Sequence, residues 1–190
     1  STAGDTDNRK QILAGRHITS DSRALNNAAG AVMAAGADKD GRLTQTGDMT
    51  LTAAKSATLN GQQLAHDRMA VTAANISLEN SRTAAKDMAL TSASGLSLKN
   101  ADVSASGTLT AVAPDGIDNR SGKLTAGALQ LTARKLDNTQ GQIIQTGTDD
   151  LTLNHKDGII NKDGTIAANS NNITLNADRT DNQKGRIQHA

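Results

Sequence analysis

Short runs in which large apolar residues alternate with polar ones recur along nearly the whole chain. The runs are headed by Met49, Met69, Met88, Leu109, Leu129, Leu151 and Ile173, spaced 20, 19, 21, 20, 22 and 22 residues apart. Two positions after each head lies Leu51, Val71, Leu90, Ala111, Leu131, Leu153 or Leu175. Two further on comes a small residue, Ala53, Ala73, Ser92, Ala113, Ala133 or Ala177, with His155 the exception. Period-two alternation puts one set of side chains on one face of a strand. The runs are shorter than helices and show no 3.6-residue period.

A second series keeps the same beat: Asn8, Asn27, Asn60, Asn80, Asn100, Asn119, Asn138, Asn161 and Asn182. Asp38, in Asp38-Lys39-Asp40-Gly41, fills an equivalent place and mirrors Asn161-Lys162-Asp163-Gly164. Glycine often follows three positions on, as Gly30, Gly122, Gly141, Gly164 and Gly185. Asn and Gly tolerate positive φ and mark sharp corners. Each repeat therefore reads as an apolar run, an Asn-centred corner and a second apolar run.

A period near 20 residues is too short for a helix pair of about 34 or a propeller blade of about 40–45. It fits one coil of an all-β parallel solenoid, a β-helix of about nine turns of 19–23 residues. Strands about 4.8 Å apart would make nine coils a rod roughly 43 Å long. Equivalent residues would then stack, Met on Met and Leu on Leu, with Asn amides forming a ladder at one corner.

The beat falters in three places. Asn27 and Asp38 are 11 residues apart, which predicts an irregular turn or excursion near residues 28–40. From 60 to 112 the repeat is looser, and Gly61, Ser81 and Ala101 follow the Asn directly. The 23-residue step from Asn138 to Asn161 predicts a surface loop within 149–164. Ala113-Pro114-Asp115-Gly116 is the clearest single turn signal. No linker appears, so residues 1–190 read as one β-helical segment. Ser1 and Ile187 both fall within repeats, and the expectation is a piece excised from a longer array.

Composition narrows the function classes. The 190 residues carry a formal net charge of +1, one Pro, and no Cys, Phe, Tyr or Trp. Without Cys there is no disulfide framework and no thiolate metal site. No run approaches the 18 apolar residues of a membrane helix, so no membrane insertion is expected. Balanced charge and missing aromatics argue against a nucleic-acid partner. A core without aromatics must be thin and regular, because those residues dominate ordinary cores.

Leu136-Asp137-Asn138-Thr139-Gln140-Gly141-Gln142-Ile143, Ile117-Asp118-Asn119-Arg120-Ser121-Gly122-Lys123-Leu124 and Leu129-Gln130-Leu131-Thr132-Ala133 resemble known repeats. The likeness is to the haemagglutinin repeats of filamentous haemagglutinin and of contact-dependent growth-inhibition exoproteins. It spans nearly the whole chain and is strongest at 1–30 and 115–190. The resemblance implies a right-handed parallel β-helix within a large Gram-negative exoprotein. Such proteins are exported by two-partner secretion, with an outer-membrane transporter as partner, and project from the cell surface. Adhesion or toxin delivery is carried elsewhere on them, and their repeats hold no catalytic motif.

The residues themselves offer little chemistry. His17, His66, His155 and His189 fall at different offsets from the preceding Asn, whereas a metal site needs converging ligands. Asp149, Asp150, Asp157 and Asp163 suggest either a Ca²⁺ site or a solvated loop, and the calcium β-roll nonapeptide is absent, which favours the loop. Outward Thr50-x-Thr52 resembles the ice-binding face of some solenoids, but its column scatters down the chain. Polysaccharide-cleaving β-helices need paired carboxylates or a basic cluster in a cleft, usually with aromatics; this chain has no aromatic, and its Asp and Glu show no paired spacing on one face. The expectation is a non-enzymatic chain without metal or cofactor, a structural shaft flanked by further repeats. The alternative is that its irregular stretches bind a host or target-cell receptor or glycan.

Overall fold

The computed structural model describes residues 4–189. Its twenty-two strands belong to one sheet wound into a β-solenoid, with coil paired to coil in parallel register. Among the described residues there is no helix. The all-β solenoid of about nine turns expected from the periodicity is the fold observed.

Each coil has three sides. The first runs from Ile18–Ser22 to Ile173–Asn176, the second from Thr6–Asn8 to Thr180–Asp181, and the third from Ile12–Gly15 to Arg186–His189. Some strands pass through a corner unbroken: Met49–Leu59 covers the first and second sides, and Asp102–Val112 the third and first. The corners inside them show as register shifts, between Ala53 and Ser56 and between Ala105 and Thr108. The interior is filled by Leu, Ile, Val, Met and Ala, as a chain without aromatics requires.

The corner between second and third sides corrects two expectations. Its left-handed residue is Lys10, Asn80, Asn100, Ser121, Gln140, Asp163 or Lys184, all with φ between 53° and 59°. The glycine that follows has another reason to be there. A Cβ on Gly141 would sit 2.2 Å from the Asn119 carbonyl oxygen and 2.5 Å from Asn138 Oδ1. Close approach demands glycine at that position; positive φ does not. Gly30 differs, with φ +82° and open space around it.

The Asn series is not one column. Register stacks Leu25 on Ala57 and Asn27 on Leu59, and it carries on through Leu96 over Ile76 and Ile117 over Leu96. The column therefore reads Asn8, Asn27, Leu59, Leu78, Leu98, Asn119, Asn138, Asn161, Asn182. Asn60, Asn80 and Asn100 stand outside it. Asn80 and Asn100 take the left-handed corner, for which Asn suits as well as Gly. Asn60 follows Leu59 in a corner one residue shorter, with Gly61 completing it. The looser variant at 60–112 is thus a block of coils with Leu in place of Asn.

Length variation gathers at the corner from third to first side. Ala126 and Leu129 bracket the tight form, three residues apart; Gln145 to Leu151 takes six steps and Ala35 to Met49 fourteen. The excursion expected near 28–40 begins later, because Val32–Ala35 pairs normally with its neighbours. It is a small hairpin closed by an antiparallel bridge between Ala37 and Leu43. Asp38 belongs to this hairpin and has no place in the corner column. Likewise the stretch 149–164 keeps two ordinary strands, Leu151–Asn154 and Gly158–Ile160; relative to the coil before, three added residues lie before Leu151 and one in the corner between these strands.

Candidate functional site

The apolar ladder on the first side runs Ile18, Met49, Met69, Met88, Leu109, Leu129, Leu151, Ile173, with Leu151 placed over Leu129 by the register of Thr132 and Asn154. Ile18 heads the column and was not among the residues picked out by sequence. Met49, Met69, Leu109 and Leu151 are fully buried, while Ile173 in the last coil is half-buried. Burying one such side chain stabilises by about 1.5–3 kcal/mol. A coil alone cannot bury these residues, so each coil depends on its neighbours.

The amide ladder has two segments. Asn8 Nδ2 donates to Asn27 Oδ1 at 2.8 Å, and Asn27 Nδ2 then donates to the Gln62 carbonyl at 3.0 Å. After three leucine rungs the ladder resumes. Asn119 donates to Asn138, Asn138 to Asn161 and Asn161 to Asn182, each at 2.7 Å. Each Nδ2 also reaches a backbone carbonyl of the next coil, at 3.1 Å for Gln142 and Thr165 and 3.0 Å for Arg186. Outside the column, Asn100 donates to Asn80 at 3.3 Å on the exposed corner. Asn60 Oδ1 is buried without a partner.

Sequence reasoning missed a third stack. Residues immediately before the ladder heads accept backbone N–H groups from the next coil. Asp48 takes that of Arg68 at 3.1 Å, Asp87 that of Thr108 at 2.8 Å and Asp150 that of Asn172 at 3.0 Å. His17 Nδ1 accepts from Asp48 in the same way. Beside them, Asp67 accepts from Gly47 N–H, and this bond first, then that to His66, holds its carboxyl below the usual range. The signal was available: Asp precedes the head at positions 48, 87 and 150.

His155 occupies the small-residue column between Ala133 and Ala177. Its ring is fully buried, with Nδ1 2.9 Å from the Ala133 carbonyl and Nε2 without a partner. That contact requires a proton on Nδ1, and the neutral tautomer supplies it without placing a second N–H on the buried, unpartnered Nε2. Burial lowers the His155 pKa and outweighs the hydrogen bond to Ala133, which acts in the opposite sense.

The remaining candidates do not converge. His17, His66 and His189 are exposed and lie on different coils. Asp150 is engaged with Asn172, Asp157 pairs with Arg134 at 2.8 Å, and Asp163 is a corner residue. Among the described residues no three His, Asp or Glu side chains form a metal-binding group. A groove of about 620 Å³ crosses the second side, lined by Asn75, Glu79, Lys99, Asp118, Arg120 and Lys135 among others. Its charges largely answer one another: Lys99 lies 3.4 Å from Glu79 and 3.6 Å from Asp118, and Arg120 is 2.7 Å from Asp118. Burial alone would raise the Asp118 pKa, but hydrogen bonds and charge from Arg120 outweigh it and hold the carboxyl low.

What this geometry offers is stacking, repeated from coil to coil. No family model and no solved structure matches the chain. Over 185 residues, 93% of its length, the chain is 31% identical to a protein described as Toxin CdiA from Yersinia pestis. The matched part makes up 5% of that protein. The chain is thus related, along nearly all its coils, to a small part of a much larger toxin.

Proposed function

We propose that the chain is a shaft segment of a large secreted exoprotein of the CdiA and haemagglutinin-repeat type, displayed on a Gram-negative cell surface. Its work is mechanical: it sets the distance between the cell and a distal binding or toxin module. The observation that carries this reading is the coil-to-coil stacking from Ile18 to Ile173, narrowed to the single pair Thr132 and Asn154 where the coil of Leu129 meets that of Leu151. Self-similar coils supply length and stiffness, whereas catalysis needs a place where unlike groups converge. The chain is accordingly read as non-enzymatic and free of cofactor. Its partners are flanking coils and, during export, an outer-membrane two-partner secretion transporter.

Removing residues 109–128 takes out one complete coil in register. The rod should shorten by about 4.8 Å in solution scattering. Stability per remaining coil should hold, as nearest-neighbour stacking requires. Collapse of the whole chain on losing one coil would overturn the reading.

A second reading rests on one specific feature, the hairpin that leaves the rod after Gly36. As the largest departure from a uniform surface, it is the place where the segment itself would touch a receptor or glycan.

A further inference from the structure

The three sides of the rod differ in charge. Outward columns on the second side include Asp7, Asp118, Asp137 and Asp181, and on the third Arg82, Asp102, Lys123 and Arg186. The first side is unlike them. It has eight strands with two outward residues each, and of these sixteen only Asp21 is charged. The rest are Thr, Ala, Val, Gln and Asn, short side chains that leave a level surface. In a chain that is 21% charged, this is a pronounced depletion.

The edges of the same side do carry charge, and of opposite sign. One edge is net acidic, led by Asp48, Asp87 and Asp150; the other is net basic, led by Lys55, Arg134 and Lys156. A neutral centre inside a charged rim is the composition of protein interfaces. Outward charge is also what ordinarily keeps exposed sheets apart, and here it is missing from the centre.

We propose that this side pairs with the same side of a second copy, the two rods lying alongside each other and pointing the same way. The direction follows from the rims. A two-fold axis along the rod sets each acidic edge over the partner's basic edge. Asp48 and Lys55 share one coil, as do Asp150 and Lys156, so both pairs meet at equal height. A two-fold axis across the rod would instead set acidic edge on acidic edge. Asp48 and Asp150 are already fixed by the N–H groups they accept. Eight strands about 4.8 Å apart, each five residues long at about 3.3 Å, offer about 600 Å² per copy. Both copies together reach about 1,200 Å², the lower end for a specific interface, so pairing is weak and reversible.

Sedimentation velocity on the intact chain, from low micromolar to near-millimolar concentration, tests this. The expected result is a monomer–dimer equilibrium. Thr72→Lys with Thr132→Lys should weaken dimerisation at least tenfold, and Lys55→Glu with Lys156→Glu should weaken it most at low salt. Ser104→Lys on the third side should leave it unchanged. Direction is read by disulfide formation, since the chain has no cysteine of its own. Rods carrying Thr174→Cys should cross-link to rods carrying Asn176→Cys, and not to rods carrying Thr19→Cys. Circular dichroism on each variant establishes that it is folded. A monomer at every concentration overturns the proposal. So does a dimer insensitive to the two central lysines, which would mean association through the coil ends, or cross-linking to Thr19→Cys, which would mean opposed rods.

Discussion

Asn119 donates to Asn138 Oδ1 at 2.7 Å, while its own Oδ1 is buried with no partner, because the rung beneath is Leu98. The amide ladder has a polarity, and every uninterrupted segment starts on an orphaned oxygen unless something else donates to it. Replacing Asn119 by Leu moves the orphan up one rung, to Asn138. Replacing Asn138 by Leu keeps the Asn119 orphan and adds another at Asn161. Asn138→Leu should therefore cost more than Asn119→Leu by about 1–3 kcal/mol, the penalty for one buried unsatisfied group. Urea unfolding of the two variants checks this, and equal costs would mean that the amides do not act as a chain.

Glycine substitutions separate two reasons for glycine. At Gly141 a Cβ would press on the Asn119 carbonyl oxygen and Asn138 Oδ1, neither of which can withdraw without breaking the corner. At Gly30 there is room, and the cost is that of a left-handed backbone. Gly30→Ala should cost about 1 kcal/mol. Gly141→Ala should cost more, toward the upper end of the roughly 1–3 kcal/mol of overpacking. The comparison is made by thermal or urea melting.

These two cases also show what the sequence made legible. The apolar heads from Met49 to Ile173 could be aligned because a core position tolerates only large apolar residues and so announces itself. The Asn column was harder, since Asn serves two neighbouring positions. One is the buried rung, as at Asn138; the other is the left-handed corner two residues later, as at Asn100. Counting Asn merged the two and hid the leucine rungs between them. The stack of Asp48, Asp87 and Asp150 escaped notice because three short motifs among charged surface residues look like ordinary solvation. The outward pairs of the first side could be lined up from Thr50 to Asn176 by the heads alone; the pair Thr19 and Asp21 and the charged edges flanking the column needed the register.

His155 gives the rod a pH response. Its folded-state pKa lies below the ordinary histidine value, so the unfolded chain binds the proton more readily. Stability is then full above the unfolded pKa near 6.5 and falls as pH drops through that value toward the folded pKa. The carboxylates held low, Asp67 and Glu79 among them, lose their contribution only in more acid solution, below about pH 4.5. The urea midpoint should therefore decline between pH 7 and pH 5, and His155→Ala should flatten that decline. Alanine is the residue found at this place in neighbouring coils. An unchanged slope in the variant would show that the ring is not the group being titrated.

The hairpin after Gly36 is built to be removable. Asp38 accepts from the N–H groups of Asp40 and Arg42 and from the Thr44 hydroxyl, all within the hairpin, and the hairpin's side-chain bond to the rod, Arg16 Nη2 donating to Thr46 Oγ1 at 3.4 Å, is exposed. At its base the chain returns to its starting point: a Cβ on Gly47 would lie 2.4 Å from Gly36 Cα. Deleting residues 37–46 joins Gly36 to Gly47 and leaves four steps from Ala35 to Met49, the spacing already found between Ala65 and Met69. Gly47 would still donate to Asp67, and Met49 would still lie over Ile18. Loop length has a small effect on stability, so the urea midpoint should change little. Binding of the deleted rod to target cells separates the two functional readings. Unchanged binding fits a uniform shaft, and loss of binding from a fully folded rod would assign recognition to the hairpin.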